Sequence, residues 1–369
     1  MIAICNSYTF LELYNSDKEI LPAGFKKIYT SPELGMDNKF QIYTKQNLAV
    51  INLRGSTAKK SSWLENIYSA MIPSTGTMTL SGEKFAYCFA KDTAAAVHAG
   101  YALAIAFLHK DIIRQIDLLN KEGIYDFIIT GHSQGGALAN LLKAYLENLK
   151  QSKISKKNKF KTYTFAAPMI GNKSFSEEYN FKYGSDNNSF NCVNLSDPIW
   201  TLPLSYNDTL NVSTELGNLI FDTKNFNFKK AVKDGAVYFL ESGIRDQITK
   251  LGTAISKQIS KELGAITMPK YVKDINYYHL NERVELKAFE FPRILKDSSI
   301  LKNPQAIAKL KKGNDGYFLD KDLYMQQSWT YQHKPYNYYV AVLKTYFPDE
   351  YFLLKRKYLP ENVDRKSVV

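Results

Sequence analysis

Apolar runs of strand length alternate with longer stretches of helical period over the first 200 residues. The runs that predict strands lie at 40–44, 47–53, 125–130, 160–167 and 189–195. A helix over about 98–121 is predicted by apolar residues that recur every three or four positions, namely Ile105, Leu108, Ile112, Ile116 and Leu119. Strands that alternate with helices favour an α/β fold, in which helices cover a mostly parallel sheet.

Two further stretches depart from this pattern. Residues 58–92 are rich in Ser, Thr and Gly and are predicted to be irregular. Later in the chain an apolar stripe recurs at helical spacing, formed by Ile244, Ile248, Leu251, Ile255, Ile259 and Leu263. Lysines lie off that stripe, which predicts a basic amphipathic helix. Two interpretations stay open: a helix packed on the body of the protein, or a cap that contacts lipid.

The composition is that of a globular protein that requires neither a metal nor a disulfide. The 369 residues are 45% hydrophobic, which suffices for one large core, with or without a substantial insertion. The odd number of cysteines (Cys5, Cys88 and Cys192) argues against structural disulfides. No Cys/His cluster has the spacing of a zinc site, so we expect no metal and no cofactor.

The chain is basic, with a formal net charge of +12 and lysines densest at 150–161 and 224–261. This excess fits solvated surface charge, or peripheral attraction to an anionic membrane or a lipid droplet. No nucleic-acid fold accompanies it, so nucleic acid is not an expected partner. The N-terminus does not resemble a signal peptide, and no apolar run approaches the roughly 20 residues of a membrane span. We expect a soluble protein, either cytoplasmic or secreted after loss of a signal.

The segment Gly131-His132-Ser133-Gln134-Gly135 carries the candidate chemistry. It fits the pattern G-x-S-x-G, follows a short apolar strand and leads into a helix of small residues. Such a nucleophile elbow needs glycines on both sides because the turn is too tight for side chains there. The helix N-terminus also favours negative charge that develops beside the serine. The sequence therefore predicts that Ser133 is a nucleophile.

A nucleophilic serine needs a base that an acid orients. The five histidines are His98, His109, His132, His279 and His333. In α/β-hydrolases the order is serine, acid, histidine, so the base is either His279 or His333. Asp197 follows the strand predicted at 189–195 and is the candidate acid.

Several blocks resemble the class 3 lipase family, the fungal-type triacylglycerol lipases of α/β-hydrolase fold. Thr130–Ala139 is close to the family's T-G-H-S-L-G-G-A-L-A. The other matching blocks are Leu53-Arg54-Gly55-Ser56, Val97–Tyr101, Thr164–Pro168 with Gly171-Asn172, and Asp197–Pro203. The resemblance implies that Ser56 and the backbone N–H of Gln134 form the oxyanion hole. It also implies that Asp197 is the triad acid, that Trp63 is the lid tryptophan and that 58–92 is a lid region. Arg54 is either a cation for the oxyanion or, as we favour, a structural arginine that pairs with a carboxylate.

After residue 203 the chain departs from the family pattern, because both candidate histidines lie unusually far from Asp197. A helical, cap-like insertion at 206–270 within a single 1–369 domain accounts for the spacing. The segment Tyr277–Leu286 resembles a family strand that contains a histidine, which makes His279 a strand residue. His333 begins a block like the family's H-x-x-x-x-Y, so His333 is the expected base. His132 is expected to pack beside the nucleophile, and His98 and His109 to be structural or exposed.

These features predict a serine esterase that hydrolyses carboxylic esters of lipids, as a triacylglycerol lipase or a phospholipase A1. The alternatives are a non-lipid serine esterase, an acyltransferase or a toxin-like effector on the same fold. A catalytically inactive binding protein is a third class, against which Ser133, Asp197 and the two candidate histidines argue.

Overall fold

The apolar runs of the first 200 residues form the central sheet. In the computed structural model, the described residues are 1–150, 153–184, 188–203, 244–274, 276–280, 283–288, 290–328 and 330–363. Residue contacts divide the chain into a first unit, 1–193 with 199–284, and a second unit, 194–198 with 285–369. The 206–243 part of the predicted insertion lies outside the described residues.

The described helices of the first unit are α1 (Ile2–Cys5), α2 (Ser7–Tyr14), α3 (Lys60–Ile67), α4 (Ala99–Lys121), α5 (Gln134–Glu147), α6 (Lys173–Tyr179) and α7 (Ile244–Leu263). Its described strands are β1 (Lys26–Thr30), β2 (Phe40–Lys45), β3 (Leu48–Leu53), β4 (Met71–Pro73), β5 (Thr75–Leu80), β6 (Glu83–Cys88), β7 (Ala96–His98), β8 (Asp126–His132), β9 (Lys159–Phe165), β10 (Gly171–Asn172), β11 (Ser189–Asn194), β12 (Ile266–Thr267) and β13 (Tyr277–Tyr278). A further strand, β14 (Arg283–Leu286), lies where the chain passes from the first unit to the second.

The central sheet has the order β1-β2-β3-β8-β9-β11 in the first unit. Strands β3, β8, β9 and β11 run parallel, whereas β1, β2 and β3 pair antiparallel. Ile129 of β8 lies opposite Ile51 of β3 and Thr162 of β9, and all three side chains are buried. Helix α5 packs against β8 and β9, and α4 packs against α5. The α/β-hydrolase type of fold is confirmed, with the predicted strands and the 98–121 helix within two residues of their observed bounds.

Residues 58–92 are not irregular, and that prediction was wrong. They contain α3 and the three strands β4, β5 and β6. Strand β4 pairs with β7, and β5 pairs with both β6 and β12. Strand β12 is distant in sequence, so the local composition held no sign of it, whereas β5 and β6 form a local hairpin. The lid role of this region stays a prediction.

The second half of α7 belongs to the core of the first unit. Ile255 and Ile259 are 5% and 1% exposed and pack in the main apolar cluster, whereas Lys257 and Lys261 are exposed. The side chains of Ile244, Ile248 and Leu251 lie outside the described residues. Contact with lipid through Ile255 or Ile259 would therefore require the helix to leave the core. No helix among the described residues is long and apolar enough to cross a membrane.

Truncation of a buried residue of α7 tests this packing. Ile259→Ala should lower the free energy of unfolding by about 2–5 kcal/mol, because it leaves a cavity in the core. Lys257→Ala, two residues away on the exposed side, should change it by no more than about 0.5 kcal/mol. Denaturant unfolding of the two variants provides the comparison. Equal small effects would show that α7 is not part of the core in solution.

The second unit contains the described helices α8 (Pro304–Ile307), α9 (Pro335–Tyr346), α10 (Pro348–Leu353) and α11 (Pro360–Val363). Pro335 begins α9, where its missing N–H costs no hydrogen bond. Tyr338, Val340 and Ala341 of α9 are fully buried. The short 3-10 turn Tyr331–His333 precedes this helix, so His333 lies two residues before the first residue of α9.

Candidate active site

Ser133 occupies the tight connection between β8 and α5. Its backbone has φ 58° and ψ −130°, a conformation that costs a residue with a side chain roughly 1–3 kcal/mol. The Ser133 N–H donates to the carbonyl of Phe165 at 2.9 Å, and the Ser133 carbonyl accepts the N–H of Gly136 at 2.8 Å. The neighbouring strand and the first turn of α5 thus hold the serine in this conformation. The side chain is half-buried.

Glycines are required on both sides of Ser133 because backbone lies where a side chain would be. A Cβ at Gly131 would lie 2.2 Å from the carbonyl oxygen of Gly135, and one at Gly135 would lie 2.3 Å from that of Leu53. The end of β3 also approaches the elbow, since a Cβ at Gly55 would lie 2.8 Å from the His132 carbonyl oxygen. The turn after β3 therefore lies directly beside the nucleophile.

Arg54 anchors the turn that carries Ser56. Its guanidinium donates to the Asp37 carbonyl at 2.7 Å and lies 3.1 Å from the Asp37 carboxylate. Burial alone would raise the pKa of Asp37, but hydrogen bonds from Lys59 and Thr57 and the charge of Arg54 lower it. Arg54 thus pairs with a carboxylate, which is the structural role that the sequence analysis favoured over a role as a cation for the oxyanion.

The exposed Ser56 hydroxyl is held by side chains from two helices. It donates to Oε1 of Gln134 at 2.8 Å and accepts from the Asn66 amide at 2.9 Å. Gln134 begins α5, and the first N–H groups of a helix have no partner within that helix. The predicted oxyanion residues Ser56 and Gln134 are therefore in direct contact. Their catalytic role stays a prediction.

A buried carboxyl group lies behind these two residues. Glu65 of α3 is fully buried, accepts from Nε2 of Gln134 at 2.5 Å and accepts from Asn38 at 2.8 Å. Burial raises its pKa from 4.5 to about 8. Sequence reasoning did not identify Glu65, because a glutamate within the polar segment Lys60–Ile67 is usually solvated. The signal that could have pointed to it is Gln134, a polar residue where the family pattern has leucine.

In the second unit, Asp197 accepts a hydrogen bond from Nδ1 of His333 at 2.9 Å. The hydroxyl of the buried Tyr338 donates to the same carboxylate oxygen at 2.8 Å, and accepts the N–H of Asn194 at 3.1 Å. The Asp197 carboxylate is buried and His333 is 16% exposed. Two predicted residues are thereby brought together in the geometry of an acid that orients a base.

Tyr338 is the second residue that sequence reasoning did not identify as part of the site. Its position was visible as the tyrosine of the H-x-x-x-x-Y block, five residues after His333. That spacing places Tyr338 one turn into α9, where its hydroxyl reaches Asp197. The tyrosine thus positions the acid.

The other four histidines belong to the first unit. His279 follows the two-residue strand β13, so its predicted place within a strand was wrong by one residue; its ring lies 4.8 Å from that of Trp200. His132 is buried beside Ser133. His98 stacks on Tyr101 at 3.9 Å, and burial lowers its pKa to about 3. His109 is packed beside Phe85, and burial lowers its pKa.

Trp63, the predicted lid tryptophan, is a half-buried residue of α3. The three cysteines are free thiols, and burial raises the pKa of Cys5 to about 11 and that of Cys192 to about 12. Within the described residues no group of three or more His, Cys, Asp or Glu side chains is arranged to hold a metal ion.

Three comparisons place this geometry among known proteins. Residues 50–207 match the family model for lipase (class 3). No curated protein matches the chain. Several solved structures are similar at low identity: the lipase from Rhizopus microsporus var. chinensis is 22% identical over 55% of this chain and 66% of its own, with a TM-score of 0.40. Lipase II from Rhizopus niveus is 19% identical over 55% and 72%, with a TM-score of 0.40.

A triacylglyceride lipase from Rhizomucor miehei is 20% identical over 55% of this chain and 72% of its own, again with a TM-score of 0.40. Similarity at this level is too low to transfer a function to this chain, and the family match carries the assignment. That match covers the turn of Ser56, the elbow of Ser133 and Asp197. Residues 50–207 therefore match the class 3 lipase family, and the chain is a serine carboxylic ester hydrolase.

Proposed function

We propose that the chain hydrolyses carboxylic esters of lipids, as a triacylglycerol lipase or a phospholipase A1, with Ser133, His333 and Asp197 as its triad. The observation that carries the proposal is the strained backbone of Ser133 between β8 and α5. Strain at a residue with a side chain persists where the surrounding structure enforces it, and such residues concentrate at active sites. The family match of residues 50–207 supports a lipid as the source of the ester.

The mechanism follows from the chemistry of these side chains. Nε2 of His333 takes the proton of Ser133 as the serine oxygen attacks the ester carbonyl. The Nδ1–H of His333 faces Asp197 at 2.9 Å, so the carboxylate fixes the tautomer and stabilises the imidazolium that forms. The hydrogen bond from Tyr338 holds this carboxylate in place. His333 then protonates the leaving alcohol. In the second half of the reaction water attacks the acyl-enzyme while His333 takes its proton, and Ser133 is the leaving group that regains a proton from His333.

The negative charge of the tetrahedral intermediate needs donors that are already in place. The backbone N–H groups of Gln134 and Ser56, together with the Ser56 hydroxyl, are the proposed donors. Loss of one such donor typically costs about 2.7–4 kcal/mol of transition-state stabilisation. The contacts of the Ser56 side chain with Gln134 and Asn66 support the role of the Ser56 N–H, because they hold the turn that carries this N–H in place before the reaction.

A substrate panel tests the proposal. The panel comprises chromogenic esters of increasing chain length, a triacylglycerol emulsion, and phosphatidylcholine in neutral and in anionic vesicles. Ser133→Ala serves as the blank for each substrate. We expect release of fatty acid from at least one aggregated lipid, at a higher rate than from a monomeric short-chain ester.

The outcomes of the panel separate the classes of function. Fatty acid released from the emulsion alone identifies a triacylglycerol lipase, and release from the sn-1 position of phosphatidylcholine identifies a phospholipase A1. Hydrolysis confined to monomeric short-chain esters would reject lipid as the substrate and leave a non-lipid esterase. Absence of all hydrolysis would reject the proposed activity.

A further inference from the structure

Glu65 is a carboxyl group buried beside the proposed oxyanion hole. It is 0% exposed, and two side-chain amides donate to it, Asn38 to Oε2 at 2.8 Å and Gln134 to Oε1 at 2.5 Å. Within the described residues no lysine or arginine forms an ion pair with it. Burial raises the pKa of Glu65 to about 8, which makes the carboxyl mostly protonated at neutral pH.

The charges around Glu65 do not offset this effect. The nearby carboxylate of Asp37 raises the pKa of Glu65 further. From the start of α4, His98 and Tyr101 face the same region; burial lowers the pKa of His98 to about 3 and raises that of Tyr101, so both are neutral. The described lysines of α7, such as Lys257, are exposed. Glu65 is therefore the group of this region that gains or loses a proton near pH 8.

Gln134 connects Glu65 to the proposed oxyanion hole. One end of its carboxamide donates to Glu65. The other end accepts from the Ser56 hydroxyl at 2.8 Å, from Ser62 at 3.2 Å and from the Asn66 amide at 3.3 Å. Where the family pattern has leucine after the nucleophile, this chain has a side chain that both donates and accepts. A carboxamide has one acceptor end and one donor end, so the partner at one end determines which end faces the other partner.

We propose that Glu65 and Gln134 are positioning residues that set the direction of the Ser56 hydrogen bond in the oxyanion hole. The inference rests on the proposed role of Ser56. An ionised Glu65 accepts from the NH₂ group of Gln134, so the carboxamide oxygen faces Ser56 and takes up the hydroxyl proton. The hydroxyl then has no proton to offer to a substrate oxyanion.

A protonated Glu65 reverses this arrangement. Its carboxyl O–H donates to the oxygen of Gln134, and the NH₂ group of Gln134 turns to Ser56. The Asn66 amide gives up its contact with Gln134 and keeps its bonds to Ser56 and to the Ser62 carbonyl. The Ser56 oxygen has two lone pairs, so it accepts from Gln134 and from Asn66 at once. Its proton is thereby released towards the substrate, where an oxyanion is stabilised by each additional donor. Asn38 still donates to the other oxygen of Glu65 in this state.

The pH dependence of kcat/KM on a soluble short-chain ester tests the proposal. We expect the wild-type protein to lose at least about tenfold in kcat/KM as the pH rises through about 8, since removal of an oxyanion donor costs about 10²–10³ in rate. Glu65→Gln should lose this pH dependence and keep the high value at pH 9. The Asn38 amide selects the oxygen of the new side chain, so its NH₂ group donates to Gln134 at every pH.

Variants of the neighbouring residues separate positioning from a general effect on the fold. Ser56→Ala should have a low kcat/KM without the fall near pH 8, and adding Glu65→Gln to it should change nothing further. Gln134→Met, which has no amide to reverse, should also lack the fall. A wild-type profile that is flat between pH 7 and 9 would overturn the inference, as would a fall that survives in Glu65→Gln or in Gln134→Met. If the wild-type protein hydrolyses no ester at all, it is the proposed function that fails.

Equilibrium unfolding gives a second measurement on the same variants. The folded-state pKa of Glu65 is raised, so its contribution to stability is complete below pH 4.5 and is lost as the pH rises through about 8. The wild-type protein should therefore lose stability over this window relative to Glu65→Gln, which cannot ionise. Identical slopes of stability against pH for the two proteins would show that Glu65 does not titrate there, and would overturn the inference.

Discussion

Ser133→Ala and Ser133→Gly should both lose ester hydrolysis, with a fall in kcat on the order of 10⁴–10⁶. The expected loss is this large because the triad acts as a unit. Without the serine oxygen, the base has no proton to accept and no covalent bond to the substrate can form. The residual rate above that of water would come from the oxyanion donors and from substrate binding. Covalent labelling by a fluorophosphonate should disappear in both variants.

The two variants should differ in stability. Alanine keeps a Cβ at φ 58°, whereas glycine adopts this conformation without strain. Relief of about 1–3 kcal/mol of strain is partly offset by the larger entropy of glycine in the unfolded chain. Ser133→Gly should therefore be more stable than Ser133→Ala by about 1–2 kcal/mol. At Lys257, exposed within α7, the order should reverse, with alanine more stable than glycine by about 1 kcal/mol.

Circular dichroism in denaturant supplies the stabilities, and gel-based detection of the labelled protein supplies the reactivity. Labelling retained in Ser133→Ala would assign the nucleophile to another serine. An inactive Ser133→Gly that is less stable than Ser133→Ala would leave the nucleophile assignment intact but contradict the strained elbow. The two measurements thus test the chemistry and the backbone separately.

The central sheet and the elbow could be predicted because their signals are local. A buried parallel strand needs a continuous apolar run, and β8 has one in Phe127–Ile129. The tight turn needs glycine at fixed positions, and the contacts a Cβ would make at Gly131 and Gly135 show why. Because this glycine pattern arises from the geometry of the turn itself, it can be recognised in the sequence without knowledge of the rest of the fold.

The structure of residues 58–92 combines a local hairpin, β5 and β6 joined by Ser81-Gly82, with pairings that could not be predicted because their partners lie further along the chain. Strand β5 pairs with Ile266 and Thr267 of β12, almost 190 residues further on. The Ser, Thr and Gly residues of this region are typical of loops when no partner is known. Tertiary pairing overrides such weak local preferences.

Glu65 and Tyr338 were not predicted for a related reason. A glutamate is normally exposed. The free-energy cost of burying Glu65 is reduced by hydrogen bonds from Asn38 and Gln134, which lie 27 and 69 residues away in the sequence. Tyr338 is one of 26 tyrosines. It completes the H-x-x-x-x-Y block, but that block does not show whether the tyrosine hydroxyl reaches a carboxylate or the ring packs in the core. The positioning residues of a site are therefore less visible in a sequence than the residues they position.

His333→Ala should lower kcat on a short-chain ester by on the order of 10⁴ or more, because it removes the proposed base. The ring that is lost holds its Nδ1–H towards Asp197 at 2.9 Å, an arrangement that serves proton transfer. Asp197→Asn should also be severely impaired. An asparagine at this position can present its NH₂ group to Nδ1 and stabilise the wrong tautomer of the imidazole.

His279→Ala is the matched control, since His279 is the other histidine that follows Ser133. Its backbone carbonyl accepts from Ser176 at 2.6 Å, and that contact remains after truncation. Loss of the ring contact with Trp200 should cost about 0.5–1.5 kcal/mol of stability and leave kcat within about threefold of the wild-type value. The contrast between the two variants is therefore expected to exceed a thousandfold in kcat.

Single-turnover kinetics with a chromogenic ester measure acylation directly, so that slow product release does not hide the effect. Added imidazole should partly restore the rate of His333→Ala, since a small base can enter the space left by the ring, and should not accelerate His279→Ala. An inactive His279→Ala beside an active His333→Ala would assign the base to His279. The contact between His333 and Asp197 would then have a structural role only.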